Sequence, residues 1–289
     1  MMVFDAIESR EQLGPLAGCP SEILFQRDGQ IAGDALRKEW RCSLYTMESQ
    51  IIADFHEQGR LCIDHAERRV EGRLIRPDAM HPDLCATYFH FALIELLRRE
   101  GVYNIHATAL ARNGRGVLIP GSSGRGKTTC CISLLRGGYG YLSDDHPLIR
   151  ERKDGIELLC FPEKIDVTSR TIEFFPELNE AKERLGWGIQ KKYFHPADFY
   201  CSAIVNACTP ALIIIPEINE ETCSRLVRLP KSRALEELLV QGLLVLNEHI
   251  AATQFETFCR LVDGADCYRL SFGRDVLDLP RIVDEALGV

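Results

Sequence analysis

The chain has 289 residues, 46% hydrophobic and 26% charged, with 34 Lys and Arg against 42 Asp and Glu for a formal net charge of −8. That length can bury a substantial core and holds one large or two modest domains, and the apolar and charged fractions are those of a soluble globular protein. The acidic balance argues against a nucleic-acid partner, which calls for clustered cations, and no stretch reaches the roughly 20 apolar residues of a membrane span.

The opening MMVFDAIESREQ carries acids and lacks a long apolar run, so it does not read as a secretory signal. The 12 cysteines are scattered and contain no C-x-x-C, which suggests neither a zinc site nor a disulfide framework. The expectation is a cytoplasmic protein with reduced thiols.

The first hundred residues differ from the rest. Glu22 to Arg27, Trp40 to Thr46, Ile51 to Phe55, Arg60 to Ile63 and Arg69 to Ile75 are short and strand-like, separated by polar or glycine turns. They predict a small β-rich N-terminal domain or lobe over residues 1–80, with Pro77 to Pro82 as a linker. Leu84 to Arg99 places Tyr88, Phe91, Ile94 and Leu97 at helical intervals, and this helix is expected to begin a second domain spanning 84–289.

Asn104 to Leu110 alternates as a strand, and Asn113-Gly114 before the apolar run Val117 to Ile119 predicts a hairpin. The hairpin would bring His106 beside Val117 to Ile119. By itself, a lone histidine reads as a satisfied structural residue.

After that run comes Gly121 to Thr128, GSSGRGKT, which has the phosphate-binding spacing G-x-x-x-x-G-K-[ST]. A chance match somewhere in such a chain has a probability on the order of 1%. Glycines at 121, 124 and 126 let successive N–H groups turn inward as an anion nest, and the N-terminus of the following helix adds its positive end. The loop residues Gly121, Ser122, Ser123, Gly124, Arg125 and Gly126, with Lys127, Thr128 and Thr129, are therefore the expected phosphate-binding set. Lys127 would reach the terminal phosphates, and the Thr128 hydroxyl would ligate Mg²⁺. Cys130 and Cys131 lie just behind the loop, where packing is their expected role. Arg136-Gly137-Gly138 supplies a cation and glycines where the helix should stop.

Tyr139 to Ser143 reads as a strand ending in Asp144-Asp145, 17 residues past Lys127. An acidic pair before His146-Pro147 is by itself a turn signal. Beside a phosphate loop it would face the phosphates, holding Mg²⁺ or taking a proton. Further on, Ile149 to Phe161 predicts a hairpin around Lys153-Asp154-Gly155, Ala211 to Ile215 a buried strand, Leu235 to His249 and Thr253 to Leu261 helices, Tyr268 to Phe272 a strand and Pro280 to Leu287 a terminal helix. The mixture favours an α/β core with a mixed sheet.

His106, GSSGRGKT and LLRGGYGYLSDD together resemble the kinase core of HPr kinase/phosphorylase and its relatives, over roughly His106 to Ile149 with weaker similarity of pattern toward the C-terminus. The resemblance implies a P-loop kinase core of the type related to phosphoenolpyruvate carboxykinase, transferring phosphate to a serine hydroxyl. It implies a metal role for Asp144 with Thr128, Asp145 as general base, and His106 close to the phosphates or the acceptor. The implied cofactors are Mg²⁺ and ATP, with GTP or pyrophosphate as open alternatives for the donor. Acceptors in the family are a carrier protein, a peptide or free serine, and homo-oligomerisation stays open. The glycine-containing signature of bifunctional members has only a displaced counterpart in Leu185 to Ile189, which argues against phosphorolysis. Glu163 reads as a solvated surface carboxylate, with an additional metal-binding role as the alternative; Lys191 and Lys192 read either as contacts to the transferred phosphate or as surface lysines. Two other functions remain open from the sequence: a nucleotide-binding regulator without phosphotransfer, and a hydrolase or phosphorylase on the same loop.

Overall fold

The computed structural model describes residues 1–15, 23–31, 38–47, 50–80, 82–183, 191–201, 204–218 and 222–289; of residues 23–31, 38–41, 47 and 82–84 only the backbone is described. The segment 185–189 lies outside the described residues. The chain divides into two compact units, Met1–Glu100 and Gly101–Val289.

The first unit is built on a six-stranded sheet. Its strands are β1 (Met2–Ile7), β2 (Ile23–Ile31), β3 (Lys38–Met47), β4 (Gln50–Asp54), β5 (Gly59–Asp64) and β6 (Arg69–Ile75). Strands β2 to β6 form an antiparallel meander, and β1 closes the far edge parallel to β6. The period-2 pattern of β5 and β6 turns Leu61, Ile63, Val70 and Leu74 into the core. Helix α1 (Pro82–Arg99) presents Tyr88 to this unit: its ring stands edge-on to Phe55 at 4.2 Å, and its hydroxyl donates to Gln58 at 3.1 Å. The sequence pattern assigned this helix to the second domain. Its apolar stripe instead covers the N-terminal sheet, and the boundary between the units falls after it, at Glu100.

The second unit is a mixed α/β structure. Its strands are β7 (Val102–Asn104), β8 (Ala107–Arg112), β9 (Arg115–Pro120), β10 (Gly140–Ser143), β11 (Leu148–Arg152), β12 (Gly155–Leu159), β13 (Ile165–Thr168), β14 (Lys182–Glu183), β15 (Lys191–Phe194), β16 (Ala207–Ile218), β17 (Arg225–Arg228) and β18 (Asp266–Phe272). Its helices are α2 (Lys127–Arg136), α3 (Ser169–Ile172), α4 (Pro196–Phe199), α5 (Lys231–Gly242), α6 (Glu248–Gly264) and α7 (Leu279–Leu287). Nine strands join one sheet in the order β10-β8-β9-β16-β12-β11-β7, with β18 added to β16 and β17 to β18. Strands β9, β16 and β18 are mutually parallel. The strands β13-β15-β14 make a separate three-stranded sheet.

The apolar run Ala211 to Pro216 makes β16 the axis of the sheet, buried on both faces as parallel strands require. Pro210 has no N–H to donate, and the register of β16 against β9 shifts there. Alternation then sorts the two cores. Val117, Ile119, Leu212 and Ile214 face α2 and α7, whereas Leu118, Ile213 and Ile215 face α5 and α6. The hairpin between β8 and β9 turns at Asn113 (φ 52°) and Gly114 (φ 77°), the left-handed pair that a two-residue hairpin needs. Two helix boundaries depart from the sequence pattern. α5 stops at Gly242, and α6 starts at Glu248 because Asn247 caps it, its Oδ1 accepting from Ile250 N at 3.1 Å. Residues 250–252, expected as a break, lie inside α6.

Candidate functional site

Pro120 ends β9 and Lys127 opens α2, so Gly121 to Gly126 forms a strand-to-helix loop at the carboxyl end of the central parallel strands. Gly124 and Gly126 have φ of 85° and 93°. At Gly126 only glycine fits comfortably, since a Cβ there would meet the Phe272 ring at 3.0 Å. Ser122, Ser123, Gly124 and Arg125 are exposed on the loop, whereas Thr128 and Thr129 are half-buried in the first helical turn.

Lys127 is buried, 6% exposed, and its ammonium is held from three sides: it donates to Gly121 O at 2.6 Å, to His106 Nε2 at 3.0 Å and to Ser122 O at 3.4 Å. Burial lowers its pKa, against the raising effect of Asp145 and Asp144. His106 lies between β7 and β8 rather than within a strand, because its backbone N–H leaves the sheet and donates to Gln241 O of α5 at 2.9 Å. Its Nδ1 is 3.7 Å from Asp145 Oδ1. Burial, and then the neighbouring Lys127 charge, lower the His106 pKa below its usual value. A neutral imidazole accepting from Lys127 at Nε2 and carrying its proton at Nδ1, toward Asp145, satisfies both contacts.

The two aspartates following β10 have different surroundings. Asp144 is buried; its Oδ1 accepts from Thr108 Oγ1 at 2.5 Å and its Oδ2 from Thr128 Oγ1 at 3.1 Å. Burial, then repulsion by Asp145, raises its pKa to about 7 despite those hydrogen bonds. Asp145 is half exposed, with its carboxylate beside His106. Its backbone is pinned on both sides, N–H to Glu163 Oε1 at 2.9 Å and O accepting from Ala107 N at 3.3 Å.

Glu163 is no solvated surface residue. Its Oε1 accepts from Ser143 Oγ at 2.7 Å, Asp145 N at 2.9 Å and His146 N at 3.1 Å, and its Oε2 faces His146 Nδ1 at 3.1 Å. Burial works to raise its pKa, but the hydrogen bond and charge of His146 and the donors around it bring it down to about 2. Glu163 reaches this place because Cys160 to Glu163 runs beside β10: Phe161 N donates to Leu142 O at 3.2 Å, and the Tyr141 hydroxyl donates to Glu163 O at 3.1 Å.

Lys127, Thr128, His106, Asp144 and Asp145 thus meet above one loop. Lys191 and Lys192 belong to the separate small sheet, where Lys192 donates to the Asn179 carbonyl. Cys130 and Cys131 are packed behind the loop, with the Cys130 thiol pushed up to about 12 by burial, as expected of core residues. Sequence reasoning missed Thr108, Ser143, His146 and Gln241. Thr108 could have been found as the polar residue in an otherwise inward-facing strand, but nothing local marks Gln241, whose side chain donates to Ser122 Oγ at 3.3 Å from the far end of α5.

A divalent cation fits the donor set. Thr128 Oγ1 and Asp144 Oδ2 supply hard oxygen ligands, and a buried carboxyl whose ionisation is resisted gains most from a cation. Among the described residues no group of three or more His, Cys, Asp or Glu could hold a metal alone. Mg²⁺ takes one or two protein oxygens and the rest from phosphates and water. Among the described residues no helix is long and apolar enough to cross a membrane.

No family model matches the chain, and no curated protein does. Among solved structures, it is similar to the HPr(Ser) kinase/phosphatase from Coxiella burnetii, at 16% identity and a TM-score of 0.34, over 63% of this chain and 95% of that one. At that distance the functional reading rests on the geometry of the site.

Proposed function

We propose that the chain is a Mg²⁺-dependent P-loop kinase that transfers the terminal phosphate of a donor such as ATP to a serine-type hydroxyl of a protein, a peptide or free serine. The observation that carries this reading is the convergence of the loop lysine, a hydroxyl–carboxylate pair and a second, exposed carboxylate: Thr128 meets Asp144 at 3.1 Å, while Asp145 stands 3.7 Å from the imidazole that contacts Lys127. Hydrolysis or binding alone does not need two carboxylates so differently placed.

The roles follow from the surroundings. The loop N–H groups and Lys127 hold the phosphates, Lys127 exchanging its Gly121 and Ser122 carbonyl contacts for phosphate oxygens. Thr128 and Asp144 would hold Mg²⁺, which when bound neutralises charge on the donor phosphates. Asp145, the accessible carboxylate of the pair, accepts the proton of the attacking hydroxyl. His106 orients Lys127 through the hydrogen bond at Nε2 and stands beside Asp145, 3.7 Å away. Catalysis on this scheme is positioning and charge neutralisation.

The test is transfer of radiolabelled γ-phosphate from ATP with Mg²⁺ to free serine, to an HPr-type carrier and to cell extract. Label on an acceptor, lost in Lys127→Ala, supports the reading. Tight nucleotide binding with no labelled acceptor refutes it in favour of a regulator, and free phosphate released at the same rate with or without acceptor refutes it in favour of a hydrolase.

A further inference from the structure

The carboxyl end of α5 touches the site at two points that the catalytic scheme leaves without a role. An α-helix leaves its last four carbonyls without intrahelical partners, and in α5 two of them are taken by other elements. Gln241 O accepts from His106 N at 2.9 Å, and Gly242 O accepts from Gln254 Nε2 of α6 at 2.8 Å. Gln254 is fully buried, so the end of the helix is anchored from the core. Glycine at 242 permits the close approach, since a Cβ there would stand 2.8 Å from Phe258 Cζ and 3.1 Å from Asn104 O.

The side chains of the same turn face the phosphate loop. Glu237 and Gln241 lie four residues apart on one face of α5; Glu237 accepts from Arg125 Nη1 at 3.3 Å, and Gln241 donates to Ser122 Oγ at 3.3 Å. Gln241 therefore holds the loop with its side chain and the His106 backbone with its carbonyl. The circuit closes through Lys127, whose ammonium contacts His106 Nε2 at 3.0 Å and Ser122 O at 3.4 Å. Ser122, Gln241, His106 and Lys127 thus form one ring of hydrogen bonds.

We propose that Gln241 is a positioning residue for phosphate binding: it sets the spacing between the phosphate loop and His106 across which Lys127 is held; the inference rests on the phosphate-loop reading above. Lys127 gives up its carbonyl contacts when it takes phosphate oxygens, whereas both bonds of Gln241 stay in place. They keep the loop and the imidazole at the distance that Lys127 spans. An arriving phosphate then meets donors already ordered, and its affinity is not reduced by ordering them. Packing alone would need only the length of the side chain, which methionine also has without the hydrogen bond.

Calorimetric titration of the full chain with Mg²⁺ and inorganic tripolyphosphate reads the loop by itself. Gln241→Met should weaken tripolyphosphate binding about 3- to 10-fold, the worth of one lost hydrogen bond, and leave the thermal midpoint within a few degrees of the native value. Ser122→Ala has no hydroxyl to hold, and His106→Ala has no imidazole to space. Adding Gln241→Met to either should cost less than about 2-fold. Should the methionine variant fail to fold, Gln241→Ala gives the same comparison. Unchanged affinity in Gln241→Met overturns the proposal, as does its full cost in either background. The phosphate-loop reading is judged by Lys127→Ala: where that variant binds tripolyphosphate as the native chain does, or the native chain does not bind it, that reading fails and the proposal with it. Binding lost in Lys127→Ala but unchanged in Gln241→Met overturns the proposal alone.

Discussion

Replacing Glu163 with alanine removes one oxygen that accepts three hydrogen bonds and a second that faces His146. The backbone N–H of Asp145 loses this acceptor, and an unpaired buried donor costs about 1–3 kcal/mol, less where water enters the vacated space, while the His146 N–H keeps Ser143 Oγ at 3.0 Å. The carboxylate also favours the fold through its charge. Its pKa of about 2 lies below the ordinary glutamate value of 4.5, a difference equivalent to about 3 kcal/mol. A depressed carboxyl pKa contributes stability that is present above about pH 4.5 and is lost as the pH falls toward 2. Urea unfolding should therefore show Glu163→Ala about 3 kcal/mol less stable at pH 7, with the gap narrowing below pH 4.5. Because Glu163 fixes the turn that carries Asp145, phosphate transfer should fall about 100-fold, the cost of misplacing a reacting group by about 1 Å. Nucleotide affinity, set by Lys127 and the loop, should change little. Glu163→Gln keeps an acceptor for the two amides and the Ser143 hydroxyl and should recover most of the transfer rate. A destabilised Glu163→Ala with full transfer activity would refute the positioning argument, and a stability gap that stays constant down to pH 3.5 would refute the electrostatic part of it.

Lys127→Ala should reduce transfer at least about 100-fold while the thermal midpoint moves only a few degrees, because the lysine's partners are two carbonyls and an imidazole that water can reach once it is gone; native activity in a folded variant refutes the site. Asp145→Asn should bind nucleotide normally and lose transfer, measured by calorimetry and radiolabel, whereas loss of binding would move that residue to the metal. Asp144 titrates at about 7 in the fold, so between about pH 4 and 7 the folded chain keeps a proton that the unfolded chain has released. Without divalent cation, stability should fall with rising pH across that window by at most about 1.4 kcal/mol per unit from this group; the slope should be absent in Asp144→Asn, and Mg²⁺ should stabilise the native protein more at pH 8 than at pH 6. Gly126→Ala combines a positive φ with contact on Phe272 and should lower stability by about 1–3 kcal/mol and weaken nucleotide binding, as read by thermal unfolding with and without ATP.

What could be read from the sequence was what short-range chemistry decides. Asn113-Gly114 and Lys153-Asp154-Gly155 impose their turns locally, and both hairpins form where expected. Within the loop, the short spacing brings the Gly121 and Ser122 carbonyls to Lys127, whereas His106 reaches it from outside the motif. The failures occur where distant packing decides. The helical stripe of Leu84 to Arg99 shows that a helix has an apolar face, but not which of two sheets it covers; Tyr88 finds Phe55 in the N-terminal sheet. The run from Leu243 to Leu246 looks helical by composition, yet Asn247 makes a better start for α6 than continuation makes for α5. Glu163 is the most instructive case. Its side chain type and its place after Pro162 are those of a surface loop, and its partners lie 17 to 20 residues earlier in the chain. Only the run of Cys160 to Glu163 beside β10 turns it inward. The same pairing that buries Glu163 holds Asp145 at the rim beside His106, so the accessible carboxylate and its support come from one topological event. A substitution that loosens β10 from Cys160 to Glu163 should therefore impair transfer without touching any residue of the phosphate loop. Tyr141→Phe removes one bond of that pairing, the 3.1 Å hydrogen bond to Glu163 O, and a transfer rate lowered more than nucleotide affinity would show the linkage; equal losses would place the defect in the fold as a whole.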